Sequence, residues 1–166
     1  MAATVLDIHL KSIVQPLAPT LRNAVRRPLK KEMLIVFAEF SSGHFGIGEC
    51  WTAGIGLKAI TKTFKTQLIT LIKDMSPAEA KSRLQGVLAE AISKDDTALT
   101  AAISGLDCAI WDGEAKALGV PLYELLGGKC REAAAVYGHA GGSTPEEVVD
   151  SVRRFQEMGY RHIRVQ

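Results

Sequence analysis

Residues 133–166 read AAAVYGHAGGSTPEEVVDSVRRFQEMGYRHIRVQ, and this stretch decides the fold. Ala133–Tyr137 is a short apolar run that ends at Gly138-His139. Ser143-Thr144-Pro145-Glu146-Glu147 carries a helix start, with Thr144 and Glu147 spaced as a capping box. Val148, Val152, Phe155 and Met158 form an apolar stripe at helical spacing, and Gly159 ends it. Tyr160–Gln166 then reads as a strand. Strand, helix and strand with so short a crossover make one βαβ unit of a parallel sheet. A parallel pair exposes two edges and calls for further strands. Alternation along the last strand sets His162, Arg164 and Gln166 on one face, with Ile163 and Val165 on the other.

The residues before this unit follow a different pattern. Val5–Val14 reads as a strand, Met33–Phe40 as a second, and Phe45–Glu49 as a third after the turn Ser41-Ser42-Gly43-His44. Between the first two lies Pro16–Lys31, with three prolines and the basic residues Arg22, Arg26, Arg27, Lys30 and Lys31. A loop of that length points to a functional segment, here one suited to attracting a carboxylate. Cys50-Trp51-Thr52-Ala53-Gly54 is a glycine-punctuated loop after the third strand, and its Trp51 and Thr52 read either as hairpin packing or as contacts to a substrate.

Three helices come next. Ile60, Phe64, Leu68 and Leu71 share one face of the first. Ser76-Pro77-Ala78-Glu79 opens the second as a capping box with proline at the first helical position, and Leu84, Val87, Leu88 and Ala91 form its stripe. The third starts near Asp96 or Thr97 and runs to Leu118, where Gly119 and Pro121 stop it. It is apolar on most faces, which predicts a central position. Leu122–Leu126 is a short turn before Gly127-Gly128.

Composition bounds the function. The chain has 166 residues, 47% hydrophobic and 23% charged, with a formal net charge of +2. These values exclude a disordered chain, a collagen and a disulfide scaffold. The charge is too small for a dedicated nucleic-acid binder, and no aromatic residue interleaves the basic run, so no nucleic-acid partner is expected. A complete (β/α)8 barrel needs more than about 200 residues and does not fit. Cys50, Cys108 and Cys130 contain no CxxC pair, which excludes a cysteine-built zinc site and suits a reducing cytoplasm. Cys108 reads as a small buried hydrophobe. The start MAATVLDIHLK lacks signal-peptide character, and no apolar run reaches the roughly 18 residues of a membrane span.

The stretch Ala102-Ile103-Ser104-Gly105-Leu106-Asp107-Cys108-Ala109-Ile110-Trp111-Asp112, followed by Ala115-Lys116 and Gly119-Val120-Pro121-Leu122-Tyr123-Glu124-Leu125-Leu126-Gly127-Gly128, resembles the mandelate racemase/muconate lactonizing enzyme family of the enolase superfamily. Gly46-Ile47-Gly48-Glu49 is similar to the end of that family's N-terminal meander. The resemblance implies an α+β capping domain, a three-stranded antiparallel meander plus helices, over residues 1–130. It implies that residues 131–166 begin a modified (β/α)8 barrel that is incomplete in this chain. It further implies a homo-oligomeric enzyme that removes the proton α to a carboxylate, with Mg2+ ligands expected downstream of residue 166 and none in the chain itself.

Many members end the second barrel strand in Lys-x-Lys. Here the segment is Arg164-Val165-Gln166. Tyr137-Gly138-His139-Ala140 and Ile163-Arg164-Val165-Gln166 resemble instead the mannonate dehydratase-like acid-sugar dehydratases. That likeness implies Arg164 as a catalytic residue and His139 as a substrate contact, with Gln166, Arg22, Trp51 and Thr52 as further substrate-binding candidates. The subgroup's asparagine in the loop after the meander has no counterpart at residues 50–54, which leaves the acid undefined. A racemase, epimerase or cycloisomerase of the same superfamily is the alternative. A chain that ends at Gln166 would be a non-catalytic fragment or interaction module. Asp107, Trp111, Asp112 and Lys116 read as structural. Five residues along a helix turn Asp112 away from Asp107 by roughly 140°, too far for two carboxylates to share an ion well.

Overall fold

The computed structural model describes residues 3–16 and 30–165, so Arg22, Arg26, Arg27 and Gln166 lie outside the described residues. Three strands, β1 (Val5–Pro16), β2 (Lys30–Phe40) and β3 (Phe45–Cys50), form one sheet in the order β1-β2-β3. β2 and β3 are antiparallel, with Leu34 opposite Cys50 and Glu39 opposite Phe45. Leu34, Val36, Ala38 and Phe40 alternate onto the core face of β2, as a half-buried strand requires.

The helices α1 (Leu57–Thr63), α2 (Ile69–Ile72), α3 (Pro77–Ser93), α4 (Thr97–Leu118) and α5 (Leu122–Leu125) follow. A π-helical turn, Phe64–Leu68, joins α1 to α2. It corrects the expected stripe: Ile72 is buried where Leu71 was expected, and Leu71 is half-buried. Four-residue steps drift about 40° each on an α-helix. The wider π turn takes up that drift and keeps Ile60, Phe64, Leu68 and Ile72 on one line.

Helix α3 has its full capping box. Ser76 accepts from the Glu79 backbone N–H, and the Glu79 carboxylate accepts from the Ser76 backbone N–H at 2.9 Å. Helix α4 starts at the Asp96 cap and ends on Gly119 at φ 69°, matching the bounds read from sequence. It lies across β3 and buries Leu99, Ala102, Ile103, Leu106, Ala109 and Ile110.

Glycine makes that crossing possible. Gly46-x-Gly48 lies in the middle of β3, facing α4. A Cβ on Gly46 would stand 1.8 Å from the Ala109 carbonyl oxygen, and one on Gly48 would stand 1.9 Å from that of Gly105. On the helix, a Cβ on Gly113 would stand 2.0 Å from the Phe40 ring. At Gly46 and Gly48 strand backbone therefore meets helix backbone, while at Gly113 the helix backbone meets the Phe40 ring. Cys50, at the end of β3, is buried in the same seam, and burial pushes its thiol up to about 12.

β3 is an edge strand, and α4 covers its edge with side chains. The Asp112 carboxylate accepts from the Ile47 backbone N–H at 2.8 Å. Lys116 donates to the Phe45 carbonyl oxygen at 3.1 Å and to Asp112 at 2.6 Å. Cys108 corrects another expectation: it is exposed, one turn before Asp112 on the strip of α4 that runs past the β3 edge.

The chain divides into two compact units, residues 1–14 with 32–128, and residues 15–31 with 129–166. The second holds β4 (Gly138–Ala140), α6 (Pro145–Glu157) and β5 (Ile163–Val165). β4 and β5 are parallel, so the unit is βαβ. The architecture is a capping fold, an antiparallel sheet with helices, followed by a parallel βαβ unit of the kind that opens a TIM barrel. Three details differ from expectation. Ala133–Tyr137 is exposed and lies before the paired strand. The stripe of α6 was expected to be buried, but Val148, Val152 and Phe155 are half-buried and Met158 is exposed. The Thr144 box is half formed: Thr144 accepts from Glu147, but the Glu147 carboxylate takes the Ser143 N–H, one residue earlier.

Candidate active site

Gly138 sets the geometry of the second unit. A Cβ there would lie 2.6 Å from Phe155 ring atoms, so β4 turns Gly138, with buried Ala140, toward α6. Alternation then points His139 to the other face. The parallel register pairs Gly138 with Ile163, His139 with Arg164 and Ala140 with Val165. His139 and Arg164 are therefore neighbours on adjacent strands, about 4.8 Å apart at the backbone. Both are exposed and both face away from α6. The strands run the same way, so the two side chains stand near the same C-terminal edge. That edge is where parallel α/β folds assemble their sites.

Tyr137 lies on the same face two residues earlier, its ring 6.3 Å from that of His139. Tyr137, Arg161, His162, Ile163 and Arg164 line a shallow hollow. Tyr137 and Arg161 were not candidates from sequence. The signal for Arg161 was the density of cationic side chains in Arg161-His162-Ile163-Arg164. Two arginines and a histidine among the lining residues are of the chemistry that suits a carboxylate, which Arg can grip in bidentate fashion.

Trp51 and Thr52 belong to the first unit. Trp51 is exposed just past β3. Thr52 is half-buried, and its hydroxyl donates to the Glu32 carbonyl oxygen. Arg22 and Gln166 lie outside the described residues.

The acidic and aromatic residues of α4 have structural partners. Asp112 and Lys116 hold the β3 edge. Lys81 of α3 pairs with Glu114 at 2.6 Å and lies 3.4 Å from the centre of the Trp111 ring. Burial raises the Asp107 carboxyl above its ordinary value, and the nearby Lys81 pulls it partly back. Among the described residues no group of three His, Cys, Asp or Glu side chains could hold a metal ion. The described side chains therefore do not fit a magnesium site. Among them no helix is long and apolar enough to cross a membrane.

An antiparallel sheet with helices, followed in the chain by a parallel βαβ unit, sets the fold class: a capping fold and a unit of the kind that opens a TIM barrel. Residues 7–127 match the family of the mandelate racemase/muconate lactonizing enzyme N-terminal domain, and the chain belongs to that family, within the enolase superfamily. A D-galactonate dehydratase family member of Enterocloster bolteae is 38% identical over 141 residues, 84% of this chain and 35% of that protein. A D-mannonate dehydratase of Rhizorhabdus wittichii is 57% identical over 65 residues, 39% of this chain and 16% of that protein. An enolase from Pantoea ananatis, solved with bound D-gluconate and Mg, is similar in structure with a TM-score of 0.71 at 30% identity, over 99% of this chain and 36% of that one. The chain thus spans about a third of the length of the D-galactonate dehydratase relative.

Proposed function

We propose that this chain is the cap and the opening of the barrel, residues 1–130 and 131–166, of a magnesium-dependent acid-sugar dehydratase. The observation that carries the reading is the register pair His139–Arg164 beside Tyr137, on the strand face away from α6. Three relatives with dehydratase or sugar-acid names add to it.

In this reading Arg164 holds the substrate carboxylate and stabilises the negative charge that grows as the α-proton leaves. A guanidinium stays protonated near neutrality, so Arg164 does not itself take the proton. It lowers the pKa of a neighbouring base instead. His139 contacts substrate hydroxyls, and Trp51, Arg22 and Gln166 complete the substrate contacts. Magnesium would stabilise the enediolate. Its ligands would lie outside the described residues. Loss of the β-hydroxyl as water then gives a 2-keto-3-deoxy acid. A homo-oligomeric, cytoplasmic enzyme is part of the same proposal.

The test is turnover by the full-length protein with Mg2+ and D-mannonate, D-gluconate or D-galactonate, reading the 2-keto-3-deoxy product. Arg164→Ala is expected to lower kcat by at least about a hundredfold. Exchange of the α-proton for solvent deuterium with no loss of water would make the enzyme a racemase or epimerase and overturn the reading.

A further inference from the structure

One threonine fixes the loop that carries Trp51. β2 and β3 are paired with Leu34 opposite Cys50. One more two-residue step of that register sets Glu32 opposite Thr52. The chain leaves the sheet there and bends into residues 51–56. The Thr52 hydroxyl donates to the Glu32 carbonyl oxygen. A side chain thus supplies the kind of donor that a further ladder rung would draw from the backbone. The Thr52 carbonyl oxygen accepts from Ile55 N–H and Gly56 N–H, each at 3.3 Å, and closes the turn. Gly54 and Gly56 have φ of 83° and 87°, which glycine adopts without strain. Thr52 therefore ties the loop to β2 through its side chain and to itself through its carbonyl. Its β-branched side chain is stiff about χ1, so the anchor is a rigid one. Glu32 directly follows Lys30 and Lys31, the first two residues of β2, so the anchor sits at the start of that strand.

We propose that Thr52 is a positioning residue, not itself a substrate ligand: it fixes the loop that presents Trp51, and so sets how tightly the sugar acid is held and not how fast it reacts. The inference rests on Trp51 as a substrate contact, the reading given above.

Thr52→Val keeps the shape and removes the donor, and Thr52→Ser keeps the donor. The experiment uses the full-length protein, with amide hydrogen exchange at Ile55 and Gly56, and with affinity for D-gluconate and kcat measured in parallel. Thr52→Val is expected to speed exchange at both amides by about tenfold, to weaken D-gluconate several-fold and to leave kcat within about twofold. Thr52→Ser is expected to restore both exchange and affinity. Unchanged exchange in Thr52→Val overturns the anchor, whatever the substrate proves to be. Faster exchange with unchanged affinity, where Trp51→Ala does weaken D-gluconate, overturns the positioning role. If Trp51→Ala leaves affinity unmoved, the reading of Trp51 fails and takes the positioning role with it, while the exchange data still decide the anchor.

Discussion

The two units solve packing in opposite ways. The first closes α4 onto a three-stranded sheet and buries Leu34, Phe40, Ile60, Phe64, Leu106 and Ile110 completely. In the second, only Gly138, Ala140 and Ser151 are buried among the described residues. Val136, Tyr137, Val165 and Met158 stay exposed there. A two-stranded sheet with one helix has little interior to offer. The unit with the larger core carries the long helix α4, within the residues that match the family. The unit with almost no core carries His139 and Arg164. Stability and candidate chemistry are thus lodged in different parts of the chain.

The same substitution made in each unit sharpens that contrast. Gly48→Ala drives a methyl into the Gly105 carbonyl, and neither backbone can yield unless α4 lifts off β3. A loss of more than about 3 kcal/mol is expected, read from the urea midpoint of the first unit. Gly138→Ala meets Cγ and Cδ1 of Phe155, a side chain and not backbone, so relief needs a shift about χ1 of that one residue. About 1–2 kcal/mol is expected there. Equal losses at the two sites would break the comparison.

Asp112→Ala is expected to cost about 1 kcal/mol, because it strips the Ile47 N–H and Lys116 of their shared partner. It also uncovers the β3 edge, so light scattering should show more self-association than in the parent. Ser76→Ala is expected to cost about 0.5–1 kcal/mol near neutrality through the lost cap. Its pH dependence has a definite sign. The Ser76 hydroxyl and backbone N–H hold the Glu79 carboxyl below its ordinary value. The stabilisation from that contact is complete above the unfolded carboxyl pKa and is lost as pH falls through the lower folded one. The gap between Ser76→Ala and parent should therefore narrow in acid.

Much of this architecture was legible. The bounds of α4 follow from Asp96, Gly119 and Pro121, and the start of α3 follows from Ser76-Pro77-Ala78-Glu79, because caps and breakers act locally. What depends on a partner element was not legible. Nothing within Gly46-x-Gly48 says that Ala109 and Gly105 will lie above it. The π turn at Phe64–Leu68 has no local signature, and it moved the buried position from Leu71 to Ile72. Cys108 was expected inside, because an apolar helix does not announce where it outruns the sheet. For the candidate site, alternation set His139 and Arg164 on strand faces, but only the register of β4 against β5 makes them neighbours.

The crossing of α4 over β3 also has a consequence in time. The meander ends at Cys50, and α4 begins at Thr97. A ribosome adding about 5–20 residues per second needs several seconds to make the intervening chain and the helix itself. During that interval the newborn sheet has no lid over Gly46 and Gly48 and no side chains over its β3 edge. The sheet is made first and finished last, so the nascent chain passes through a stage in which a holdase would find a bare strand to protect.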